Sequence, residues 1–279
     1  MQANMQSKGI RPWLREQMSK GRMYVTKEEL CRAFPDYSPP NLKQAIARAV
    51  EDSMMAYGWQ NFYLLLPPAY MKRKSLPPTL YIDALMNYLG RPYCVALLNA
   101  AEIYGAAHQR PQTFTVMTSN PPPRMRKDGS SVLAFVAKRE FNYCVPKELI
   151  RTIKVSSGYI KVSSPEFTAL TLVQYHGASG GLSHVLTVLE ELVEECRFDA
   201  IPDIITQYVP ASVFQRLGYM VESLVGDMAA GDSLHAFLFK HYRPKTASLQ
   251  TGKPTSGSEL NKRWRLHLNA HLKSDQDDT

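Results

Sequence analysis

Asn41, Gln44 and Arg48 are residue types that read nucleic-acid base edges, and they stand at i, i+3 and i+7. Asn and Gln can pair bidentately with adenine, and Arg with guanine. At about 100° per residue all three fall on one side of a helix predicted over residues 39–52. Leu42, Ile46, Ala49 and Val50 fall on the other and form its packing side. Ser38 is placed to cap the helix and Pro39-Pro40 to open it, because the first turn has no hydrogen bond for a proline to break. Lys43 lies on the flank, where its charge suits a phosphate.

Such a face has to be held by neighbouring elements, and the flanking sequence supplies them. A first helix is predicted over residues 10–18, with Pro12 near its start and Ser19-Lys20-Gly21 as its stop. A second starts at Thr26, where T-K-E-E puts Glu29 three residues after a Thr and makes a capping box; Leu30, Ala33 and Phe34 supply its apolar side. Pro35 ends it. After the third helix, SMMAYGWQNFYLLLPP reads as two apolar strands around Gly58, Trp59, Gln60 and Asn61. Two helices joined by a short turn, the second polar-faced, and then a β-wing is the order of a winged helix-turn-helix. On this reading Asn41, Gln44 and Arg48 contact bases, and Ser38, Lys43, Trp59, Gln60 and Asn61 contact the backbone. Lys72, Arg73 and Lys74 join them from a basic cluster before Pro77-Pro78 that reads as a linker. The domain boundary is expected there, giving residues 1–75 and 76–279. The plain alternative is a solvated amphipathic helix in a small helical lobe, since polar outer faces are universal.

The charge distribution favours the first reading. The 279 residues carry 33 Lys+Arg against 25 Asp+Glu, a formal +8, with 44% hydrophobic and 21% charged residues. That is an ordinary globular composition, with apolar material for one or two cores. Residues 1–75 hold +6, residues 76–199 hold +1, residues 200–239 hold −3 and residues 240–279 hold +4. A basic end on a near-neutral body suggests an anionic partner, nucleic acid first and an acidic protein second. A solubilising surface would give the same total. No stretch reaches the ~18 uncharged apolar residues of a membrane span, and MQANMQSKGIRPW has no apolar leader core. A cytoplasmic protein with no membrane partner is expected.

Other chemistry is weakly supported. Cys31, Cys94, Cys144 and Cys196 form no C-x-x-C pair, and buried free thiols are the expectation. His267 and His271 stand four apart on a possible helix, but no further ligand completes a metal set. Gly177-Ala178-Ser179-Gly180-Gly181 matches G-x-S-x-G, yet a nucleophile elbow needs a strand before it, and the preceding TALTLVQY is helical. A helix–helix turn is expected instead. There is no P-loop, G-x-G-x-x-G or H-E-x-x-H. No catalysis, metal or cofactor is predicted.

The remainder reads as an α+β (or α/β) domain. Helices are expected over 79–89 and 93–105, and strands over 113–118, 132–136 and 159–163, with a basic loop at 121–127. At Ser164-Pro165-Glu166 a helix begins with an N-cap, a proline at the first position and an acid on the positive end of the dipole. Further helices run from 182 to about 241. Trp264, Leu266 and Leu268 alternate with Arg263, Arg265 and His267 as a final strand.

PYCVALLNAAEIYGAAHQRPQTFTVMT, then VSSPEFTALTLVQYHGASGGL, then FQRLGYMVE resemble the AbiEi antitoxin family of bacterial abortive-infection, type IV toxin–antitoxin systems. The matching residues are Ala96-Leu97, Ala100 or Ala101, Gly105, Ser164-Pro165-Glu166, Leu170, Gly180-Gly181 and Leu217-Gly218-Tyr219. Phe167 stands where Arg is frequent and Thr171 where Asp is. The resemblance implies a two-domain antitoxin involved in phage defence. Its N-terminal domain would bind inverted repeats of double-stranded DNA in its own promoter and repress the operon. Its C-terminal domain, with Ser164, Glu166, Gly180 and Gly181 as candidate residues, would counteract a co-encoded nucleotidyltransferase-type toxin, with or without stable contact. Two alternatives stay open: neutralisation of an acidic partner by direct protein binding, and an enzyme that modifies the toxin.

Overall fold

The computed structural model describes residues 9–106, 111–128, 131–141 and 144–274. The chain opens with α1 (Ile10–Ser19), β1 (Tyr24–Thr26), α2 (Lys27–Ala33), α3 (Pro39–Glu51), β2 (Met55–Trp59) and β3 (Phe62–Leu65). The predicted caps are in place. The Thr26 side chain accepts from Glu29 N and the Glu29 carboxylate from Thr26 N, while Ser38 Oγ accepts from Asn41 N at 3.4 Å. Leu42, Ile46 and Ala49 are buried with Leu14 of α1 and Leu30 of α2, and Val50 is half-buried at their margin. Strand β1 was not expected from its three residues. It pairs antiparallel with β3, which also pairs with β2, so the sheet order is β1-β3-β2.

This small sheet is covered on both faces. Met55, Tyr63 and Leu65 point into the core beneath α1–α3. Ala56, Phe62, Leu64 and Leu66 point the other way, into a second core shared with residues 76–162. The alternation follows the two-residue period of a strand. A strand with water on one face would be apolar at every second position; FYLLL is apolar throughout because both of its faces are buried. The segment between the two parts continues the packing. After α4 (Pro68–Met71), Lys72, Arg73 and Lys74 are exposed, but Ser75 and Leu76 are buried and Leu76 belongs to the shared core. The segment expected as a linker thus keeps its basic residues exposed and packs at its C-terminal end.

Beyond it come α5 (Ile82–Tyr88), β4 (Tyr93–Val95), α6 (Leu98–Ile103), β5 (Thr113–Ser119), β6 (Arg126–Asp128), β7 (Ser131–Lys138), β8 (Ile150–Val155) and β9 (Gly158–Ser163). The strands form one mixed sheet, β6-β7-β5-β4-β9-β8, parallel at β5–β7 and β4–β9. One face (Val95, Phe114, Val116, Leu133, Ile160, Val162) meets the core shared with the β2–β3 hairpin. The other (Cys94, Met117, Val136) meets the helices α7 (Pro165–Gln174), α8 (Leu182–Leu192), α9 (Ala211–Tyr219) and α10 (Met228–His241). A last sheet of β10 (Ala247–Ser248), β11 (Glu259–Asn261) and β12 (Leu266–Leu268) packs on those helices.

Several expectations are corrected. The helix predicted over 93–105 is a strand, a turn through Leu97 at φ +56°, and only then α6. A short run buried on all sides has no period that separates strand from helix. The basic loop contains β6, and β8 was missed because Ile150-Arg151-Thr152-Ile153-Lys154-Val155 is too polar for a buried strand; it is a sheet edge. The last strand starts only at Leu266, with Trp264 buried in the turn before it, and His267 lies on that strand rather than on a helix. Of the four thiols, Cys94 is buried, Cys196 is half-buried, and Cys31 and Cys144 are exposed.

Because Phe62 is buried between the two parts, stacked on Tyr24 at 4.9 Å and tilted against Tyr88 at 5.4 Å, Phe62→Ala should cost ~3–5 kcal/mol. Its thermal unfolding followed by tryptophan fluorescence and by far-UV circular dichroism should shift together. Separate transitions for the two parts would show that the shared core does not couple them.

Candidate functional site

The polar face of α3 lies where the sequence placed it. Asn41, Lys43, Gln44 and Arg48 are all exposed. Asn41, Gln44 and Arg48 line one open cavity of about 430 Å³ together with Gly9, Arg11 and Tyr37. Arg11 is tied to Asp52 at the C-terminal end of α3, whereas Lys43, Arg48 and Lys72–Lys74 have no ion-pair partner among the described residues. Two further cations of this segment are paired locally, which leaves its net +6 unchanged: Lys20 pairs with Glu16 at 2.7 Å and Arg22 with Glu29 at 2.5 Å. Burial alone would raise the Glu29 pKa, but the Thr26 amide and the Arg22 guanidinium hold it below the usual carboxylate range.

The hairpin is less free than a wing usually is. Gln60 and Asn61 form its two-residue turn, with Asn61 at φ +59°, where Asn is better tolerated than most residues. The Asn61 carbonyl accepts from Lys27 N at 2.8 Å and the Gln60 carbonyl from Tyr88 Oη at 3.2 Å. The Trp59 ring meets Phe135 edge-on at 6.2 Å, with the Arg126 guanidinium 5.8 Å from its centroid. Arg126 Nη2 also donates to the Tyr57 carbonyl at 2.6 Å. Trp59 is therefore a packing residue between the hairpin and the larger sheet. Sequence reasoning missed Arg126, Phe135 and Tyr88 as partners of the hairpin because they lie more than 20 positions away.

The motif residues on α7 are internal. Helix α7 is buried nearly throughout. Ser164 Oγ accepts from Phe167 N at 3.2 Å, as the N-cap reading predicted. Glu166, expected to serve its own helix, also accepts from Arg197 N at 2.9 Å and so fastens the chain after α8. Phe167 is enclosed by Phe141 and Tyr208, each 6.4 Å away, and Thr171 Oγ1 donates back to the Phe167 carbonyl at 2.8 Å. These positions are four apart on one helix, where a charged pair would be adjacent. Here both members are neutral, so neither leaves an uncompensated buried charge. Gly180 (φ +82°) and Gly181 (φ +95°) make the turn between α7 and α8, confirming the helix–helix reading of G-A-S-G-G.

The F-Q-R-L-G-Y stretch of α9 is a clamp for the C-terminal sheet. Gln215 Nε2 donates to the carbonyls of Lys245, Trp264 and Arg265, and Arg216 Nε to Ser248 O at 2.9 Å. A Cβ at Gly218 would lie 2.0 Å from the Trp264 ring, so only glycine admits that indole. Across the same surface Arg263 pairs with Glu222 and Asp232, and Lys240 with Asp203. The acidic 200–239 stretch and the basic C-terminal stretch thus partly neutralise each other.

One buried cation stands apart. Lys138, at 3% exposure, donates to Gln174 Oε1 at 3.0 Å and to the Tyr208 carbonyl, and lies 5.4 Å from the Tyr175 ring centroid. Burial lowers its pKa to about 8. Burial likewise pushes the Cys94 thiol up to about 12, which keeps it protonated and unreactive. No group of His, Cys, Asp and Glu among the described residues could hold a metal ion, and no helix among them is long and apolar enough to cross a membrane.

The geometry is that of a mixed α+β protein that shows solvent a polar, cation-bearing helix and packs its larger part around a core of sheet and helices. Residues 93–223 match the AbiEi antitoxin C-terminal domain, so the chain carries a domain of that antitoxin family. The crystal structure of the RV2827C protein from Mycobacterium tuberculosis is similar with a TM-score of 0.66, over 91% of this chain and 89% of that one, at 15% sequence identity. At that identity the likeness speaks for the fold. No curated protein sequence matches the chain.

Two outcomes follow. Gly218→Ala should destabilise by more than 2 kcal/mol, of the order expected for overpacking, and Trp264 fluorescence should change with it. Lys138 has a folded pKa below its unfolded value of about 10.5, so its burial opposes folding while it is charged. The stability of wild type relative to Lys138→Met should therefore rise as pH increases from 8 to 10.5 and be flat below 8. A flat difference across that interval in denaturant titrations would refute the assignment.

Proposed function

We propose that the chain is the antitoxin of a toxin–antitoxin pair and also a DNA-binding autorepressor whose N-terminal part, residues 1–75, acts as a winged helix-turn-helix. The observation that carries the DNA reading is the α3 face: Asn41, Gln44 and Arg48 exposed together, with Lys43 and Lys72–Lys74, which have no ion-pair partner among the described residues, as further cations. Asn41, Gln44 and Arg48 read bases of operator inverted repeats. Ser38, Lys43, Gln60, Asn61 and Lys72–Lys74 hold phosphates, while the Trp59 ring keeps the hairpin seated. Residues 76–279 counteract a toxin of nucleotidyltransferase type, and the reading includes no catalytic step. The matched antitoxin domain supports this half. The buried Ser164 and Glu166 and the turn glycines Gly180 and Gly181 serve it as framework, and the partner would meet other residues.

In a mobility-shift assay on the DNA upstream of its own gene, Arg48→Ala should cost about 1–3 kcal/mol and relax specificity at one position. Affinity should fall steeply with salt, which separates phosphate contacts from docking on an acidic protein. Unchanged affinity in Gln44→Ala/Arg48→Ala would sink the base-reading assignment.

A further inference from the structure

A cavity of about 580 Å³ opens where β4, β8 and β9 meet the turn before β4 and residues 144–147. Among the described residues three cations line it, Arg91, Lys147 and Lys161, and no carboxylate does. Like charges around one cavity raise each other's energy unless an anion lies among them. Asp83, the carboxylate bonded to two lining residues, has both oxygens engaged: Tyr93 Oη donates to one at 2.8 Å and Asn87 Nδ2 to the other at 2.9 Å. Neither Lys147 nor Lys161 has an ion-pair partner among the described residues.

Two of the cations are also held in place. Arg91 Nη1 donates to the Pro121 carbonyl at 2.6 Å and to Ser119 O at 3.5 Å, which fixes the guanidinium. Lys161 lies 5.6 Å from the Tyr93 ring centroid and is paired across the strands with Thr152, another lining residue. Solvated surface lysines account for isolated charges. They do not account for a tethered guanidinium and two ammoniums without an ion pair among the described residues lining one volume.

We propose that this cavity binds a phosphorylated small molecule. Three positive charges exceed what one carboxylate would neutralise and match a phosphate or pyrophosphate group, for which a guanidinium supplies paired donors and lysines supply point charges. Thr152 and Asn87 add neutral donors, and the volume lies in the ~300–1,000 Å³ range of small-molecule sites. The site shares no residue with the α3 face and does not rest on the DNA reading.

Isothermal titration of the full chain with inorganic pyrophosphate and, separately, adenosine triphosphate tests it. Saturable one-to-one binding of at least one probe is expected. Binding should weaken about tenfold or more in Lys161→Gln and vanish in Lys147→Gln/Lys161→Gln. Far-UV circular dichroism should stay unchanged, because neither lysine holds the fold through an ion pair. Should the double variant fold poorly, Lys147→Gln alone, at an exposed position, carries the expectation of a several-fold loss. Absence of saturable binding by wild type overturns the proposal, as does an undiminished affinity in the variants. Loss of duplex-DNA affinity in the double variant while neither probe binds wild type overturns it too, and assigns the cations to a polymer backbone. Operator binding retained by a double variant that has lost the probe would separate this site from α3.

Discussion

Strand β3 is buried on both faces, and most of the architecture follows from that. Tyr63 and Leu65 complete the core under α1–α3, while Phe62 and Leu64 complete the core over the six-stranded sheet. A hairpin that serves two cores cannot move relative to either without exposing apolar surface, at roughly 25 cal/mol per Å². The helix carrying Asn41, Gln44 and Arg48 is consequently held in a fixed relation to the sheet. Trp59, Arg126 and Phe135 reinforce that relation at the hairpin tip.

The same logic governs the other end of the molecule. Gly218 admits the Trp264 ring, Gln215 gathers three carbonyls of the terminal segment, and Arg263 reaches Glu222 and Asp232. Charge that looks like a second basic patch in the sequence is thus partly consumed within the fold. On α3 the balance differs, because Lys43 and Arg48 have no ion-pair partner among the described residues, and the same holds for Lys72–Lys74 after α4.

Local signals were legible wherever the physics is local. Capping at Thr26 and Ser38, proline at the start of α3 and α7, and the 3.6-residue period of α3 involve residues three or four apart, and they read correctly. The strand at Tyr93–Val95 did not, because a run buried on every side has no periodicity and its partners, β5 and β9, are set by distant pairing. Strand β8 was hidden by edge-strand polarity. The Trp59 contacts and the Arg91, Lys147 and Lys161 cavity could not be seen at all, since each joins residues dozens of positions apart.

By itself the sequence determined the α3 face, its caps and flanking elements, the mixed α+β class and the family motifs of residues 93–223, since these depend on residue type and short spacing. Only the tertiary structure decided that the hairpin is a shared middle layer, that Ser164 and Glu166 are buried and hydrogen-bonded within the fold, and which cations have no ion pair among the described residues. Burial and ion pairing depend on what the rest of the chain brings alongside, and no local window contains that.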